Sequence, residues 1–239
     1  MPKLPPPAST GIWSDIRLFF LDKPEVETCI RFHSDEERMF YSKNILQRTG
    51  IGVDSFRVLN IHRIGIETPV GFVFDELLKW NGDSSCWPNH IAKVTLRDGK
   101  LDQIKVNLFG WPSDPFNHKK GIAGHQFFHL FNMNAIKIQH TPDPFDFDNA
   151  RFLLYKCSGG YPIGVFLMYV RSSIPERGEK EMAQLFMMVG FNFYGNRTLT
   201  RLNIINKTWE AIHNRATTHI MNKFKQLSEW RFEQHINTW

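Results

Sequence analysis

The chain has 239 residues, 42% of them hydrophobic and 14% aromatic, and a formal net charge of +5. That size suits one domain with an elaborated terminus, and its basic residues are too dispersed for the concentrated footprint that nucleic-acid binding needs. Cys29, Cys86 and Cys157 stand far apart without a C-x-x-C spacing, which argues against a disulfide framework and a structural zinc site.

The proline-rich start, MPKLPPPASTG, lacks the apolar core of a secretory leader. No run approaches the ~18 apolar residues of a membrane span. The expectation is a cytoplasmic protein. Ser34-Asp35-Glu36-Glu37 has the form of a helix N-terminus with an acidic first turn, and Gly50 that of its stop. Residues 1–50 therefore read as an extension to a main domain spanning 51–239.

From Phe56 the pattern changes to period two, with Phe56, Val58, Asn60, His62, Ile64 and Ile66 on one side of a strand. Pro69 then introduces a helix over Val70 to Trp80. His90 to Leu96 and Leu101 to Phe109 flank Asp98-Gly99, a strong short signal for a hairpin. Phe127 to Gln139, Ala150 to Cys157, Pro162 to Ser172 and Glu181 to Tyr194 read as further strands. Leu199 to Phe232 reads as a long helix with Leu202, Ile205, Trp209, Ile212, Ala216, Ile220, Phe224 and Leu227 along one stripe. Lys207, Asn214, Arg215, Thr218, Asn222 and Lys225 fall opposite.

The run from Ile66 through Thr68-Pro69-Val70-Gly71-Phe72-Val73-Phe74 to Trp80, followed by Trp87-Pro88, resembles the helix-grip superfamily. This is the START-like or SRPBCC group of birch-pollen-allergen proteins, lipid-transfer domains and polyketide cyclases. The resemblance covers Phe56 to about Phe232. It implies an α+β fold in which a seven-stranded curved antiparallel sheet wraps around a long C-terminal helix. It also implies a hydrophobic or aromatic small molecule bound between sheet and helix, or a cyclase or dehydratase acting on a polyketide-like substrate in the same cavity.

His213 and Asn206 stand out because they are polar residues one heptad apart on the apolar side of the last helix, flanking Trp209. An imidazole there suits a hydrogen bond to a ligand, or general acid–base work. Tyr155, Tyr169 and Arg171 on neighbouring strands suit phenolic or carboxylate ligands. His125 and His129 have metal-ligand spacing only on a helix; on a strand they would stand ~13 Å apart. No cofactor motif is present, so neither a metal nor a cofactor is expected. The seventh strand is apolar on both sides, through Leu185, Met187 and Val189 on one and Phe186 and Met188 on the other. An exposed sheet face should be polar, so either the N-terminal extension or a second copy in a homodimer covers it.

Overall fold

Val58–Ile66 is a strand, β1, and its parity divides the molecule in two, with Ile64 and Ile66 on one face and Leu59 and Ile61 on the other. The computed structural model describes residues 13, 16–17, 20–50, 56, 58–80, 92–97, 100–108, 129–143, 149–158, 163–173, 182–191 and 203–238. Trp87-Pro88, the loop from Gly110 to Gly124 and His125 lie outside the described residues. A helix α1 (Asp35–Thr49) precedes β1, and α2 (Val70–Trp80) follows it. The strands β2 (Ala92–Arg97), β3 (Lys100–Leu108), β4 (His129–Gln139), β5 (Arg151–Ser158), β6 (Ile163–Ser173) and β7 (Met182–Phe191) come next. A 34-residue helix, α3 (Asn203–Ile236), follows them.

The class is α+β, with an antiparallel sheet and a C-terminal helix. The strands are ordered β1-β7-β6-β5-β4-β3-β2. β2 and β3 pair up to Arg97 opposite Lys100, which leaves Asp98-Gly99 as the two-residue connection. Ladder irregularities in β2, β3, β4 and β6 supply places where the sheet can bend.

The inner face packs against α2 and α3. Ile64, Ile66, Met133, Leu153, Tyr155, Met168, Leu185 and Met187 form one core with Val73, Phe74 and Leu77 of α2 and Met221 and Phe224 of α3. The outer face is a second core. Leu59, Ile61, Phe152, Leu154, Leu167, Tyr169, Phe186 and Met188 meet Ile45 and Leu46 of α1.

The helix α1 is fixed at both ends by its own sequence. Ser34 accepts from the amide of Glu37 at 3.1 Å, and the Glu37 carboxylate accepts from the amide of His33 at 2.8 Å. Gly50 closes it with φ of 82°, the left-handed conformation glycine favours. Ahead of α1, residues 21–33 form a strap along the open edge of β1. Ile30 donates to the Ile61 carbonyl and Arg63 to the Thr28 carbonyl, each at 2.9 Å. The strap thus occupies backbone groups that a bare edge strand would present for aggregation.

The long helix ends later than its periodicity indicates, and its buried face is rotated from the apolar stripe. Phe224 and Leu227 are buried, but Ile212 is 42% exposed. The polar Thr218 and Asn222 are buried instead. Backbone groups and a histidine from the strap and β1 meet that polar side, so hydrogen bonds outweigh apolar contrast in setting the helix rotation.

Candidate functional site

On the inner side of α3, His213, Thr217, Met221 and Phe224 follow one another at helical spacing. His213 and Asn206 are both buried. The His213 Nδ1–H donates to the Trp209 carbonyl one turn back, at 2.7 Å, and the two rings stand 5.3 Å apart at 39°. Burial pushes the His213 imidazole down to about 4, against the smaller opposing effect of that hydrogen bond. The ring is therefore neutral near pH 7, and its tautomer is set by the Trp209 carbonyl. Tyr155 reaches the same core from β5 and is fully buried.

Tyr169 and Arg171 do not join them. Strand pairing places Phe152 opposite Tyr169 and Arg171 opposite Gln184, and this set belongs to the outer face. The Tyr169 hydroxyl accepts from Arg48 of α1 at 2.9 Å. Arg171 donates to Gln184 and lies over the Phe186 ring. Tyr169 thus helps seat the N-terminal helix, and both residues stand on the outer face of the sheet. Their type suggested a ligand, but parity decides the face, and parity is fixed only by the register of β5 to β7.

The sequence places another histidine, His62, on its strand but does not mark it as a site residue. His62 is fully buried in β1, its Nδ1 2.9 Å from the Thr28 hydroxyl and its Nε2 3.1 Å from the Asn214 carboxamide oxygen. Thr28 also shares a 2.9 Å hydrogen bond with Thr218. Burial lowers the His62 pKa to about 4, with the Asn214 hydrogen bond opposing. The signal was present in the polar residues at 214, 218 and 222, whose four-residue spacing lines one side of α3.

Beside this network lies a cleft of about 840 Å³ between the strap, the start of β1 and the first half of α3. Neither His213, Asn206 nor Trp209 lines it. Among the described residues, no group of three or more His, Cys, Asp or Glu is placed to hold a metal ion. No described helix is long and apolar enough to cross a membrane.

No family model matches the chain, and no curated protein matches it in sequence. Solved structures are similar. A Thalictrum flavum norcoclaurine synthase point mutant, in complex with a transition-state analogue, matches at 10% identity. That match covers 69% of this chain and 94% of that one, with a TM-score of 0.32. The Zhui aromatase/cyclase from Streptomyces sp. R1128 matches at 13% identity over 70% of this chain and 91% of that one, with a TM-score of 0.37. Ara h 8.0201 matches at 8% identity over 72% and 97%, with a TM-score of 0.39. At such identities, and with TM-scores below 0.5, these likenesses say nothing about which residues act.

Proposed function

We propose that the protein binds an apolar or aromatic small molecule between the inner face of the sheet and α3, with Asn206, Trp209, His213 and Tyr155 as the contacting residues. The observation that carries this reading is His213 itself. It is a buried, neutral imidazole on the helix stripe that continues into Met221 and Phe224, which join the inner core with Tyr155 and Met187. A cyclase or dehydratase acting in the same cavity is the second reading, in which the neutral His213 imidazole would serve as a general base.

Native mass spectrometry of protein purified from its own host tests the proposal. A retained apolar molecule, bound less well by His213→Ala with the fold intact, is the expected result. A mutant that loses only thermal stability, with ligand binding untouched, overturns the assignment. Turnover of a candidate substrate that falls more than its affinity in the same mutant would make the enzyme reading the correct one.

A further inference from the structure

The cleft outside the sheet–helix interior has a chemistry of its own. Asn60 lines it and is only 3% exposed. Its carboxamide nitrogen donates to the Glu210 carbonyl at 3.3 Å, while its oxygen is buried and has no hydrogen-bond partner. A buried acceptor left in that state costs on the order of 1–3 kcal/mol unless something donates to it.

The lining carries charges of both signs, Glu27, Asp35 and Glu210 with Arg31, Arg38 and Arg215, but they are not spread evenly around Asn60. Glu27 and Glu210 both line the cleft, and neither forms an ion pair among the described residues. The thiol of Cys29, also in the lining, is pushed up to about 11, chiefly by burial and next by Glu27 and Glu210; Arg31 opposes them with the smallest effect. Both carboxylates therefore act on one corner. The other two arginines of the lining have partners of their own, Arg38 within the lining itself. Arg38 pairs with Asp35 at 3.2 Å, and Arg215 donates to the Asp22 carbonyl at 2.8 Å. Ile30 and Phe32 of the strap add apolar surface.

We propose that this cleft is a second ligand site, one that takes a small organic amine, its ammonium received by Asn60, Glu27 and Glu210. A protonated amine supplies the donor that the Asn60 oxygen lacks, and its charge matches the two carboxylates. Its organic part lies along Ile30 and Phe32. The volume is within the ordinary range for small-molecule pockets. This site is separate from the inner one, so each stands or falls without the other.

The test is calorimetric titration of the full chain with phenethylammonium chloride, beside the neutral 2-phenylethanol. Saturable binding of the amine is expected, with the alcohol weaker by about tenfold or more. A Glu27→Gln, Glu210→Gln double variant should weaken the amine by a similar factor. Asn60→Leu should do so too, and the double variant carries the test if Asn60→Leu fails to fold. Equal binding of amine and alcohol overturns the proposal, as does unchanged affinity in the double variant or no saturation by about 10 mM, an affinity too weak for a built site. Amine binding lost in His213→Ala but kept in the double variant places the amine in the interior, and also overturns it.

Discussion

Asn222 does for the strap what a neighbouring strand would do. Its carboxamide oxygen accepts from the Val26 amide at 2.9 Å and its nitrogen donates to the Val26 carbonyl at 2.8 Å, so both polar groups of one backbone residue are satisfied by one side chain. Asn222→Leu keeps the size and removes both partners. It should destabilise the protein by about 1–3 kcal/mol, read as a lower denaturation midpoint with the slope unchanged. A midpoint equal to wild type would mean that the strap does not depend on this side chain. Gly190 shows a different constraint. A Cβ built there would lie 2.7 Å from the Phe56 ring, and one at Gly164 would lie 3.1 Å from it. These two positions form a bare seat for an aromatic residue on the outer face. Gly190→Ala should displace Phe56 and cost about 1–3 kcal/mol. The companion Gly190→Ala, Phe56→Ala pair should be less than additive; strict additivity would show that the contact is not the cause.

Among the elements, α1 is the one whose removal should change behaviour most. Leu46 is fully buried and Ile45 nearly so, in the outer-face core with Phe186 and Met188. Deleting residues 1–49 would expose that apolar face, so we expect self-association or insoluble protein, measured by light scattering. A monomeric truncated chain with an unchanged melting temperature would show that α1 is dispensable. Leu46→Ala alone should cost about 2–5 kcal/mol. The ends of α1 were legible in the sequence because its caps are local, with Ser34, Glu37 and Gly50 all within a turn of what they terminate. The strands were legible by period, and the two-residue link after Arg97 by its Asp-Gly chemistry. The site was legible only in part. His213 and Asn206 are buried as their helix positions implied, but the face of the sheet to which Tyr169 and Arg171 belong depends on register, which no local pattern carries. The polar side of α3 was read as the side away from the core. Its partners Val26, Thr28 and His62 lie some 150 to 196 residues away in the chain, beyond the reach of any periodicity argument.

At the scale of the whole molecule, two buried neutral histidines, one bridging α3 to β1 and the strap and one within α3, set the direction of its acid response. His62 joins the strap, β1 and α3 through Thr28 and Asn214, and His213 sits in the inner face of α3. Both imidazoles titrate at about 4 in the folded protein, chiefly because burial disfavours the charged ring. In the unfolded chain an imidazole titrates near ~6.5. Between these values the unfolded state binds more protons than the native one, so stability is greatest above about pH 6.5 and falls as pH drops toward 4. Each histidine can contribute at most about 3–4 kcal/mol to that loss, since one pKa unit corresponds to ~1.4 kcal/mol. Urea denaturation at a series of pH values should show the midpoint falling across this window. Replacing both rings by glutamine should lower stability at pH 7, because Thr28, Asn214 and the Trp209 carbonyl lose well-placed partners. It should also flatten the slope between pH 6.5 and 4, because glutamine does not titrate. A double variant that keeps the wild-type slope would assign the acid sensitivity to other groups and leave the two histidines as packing residues only.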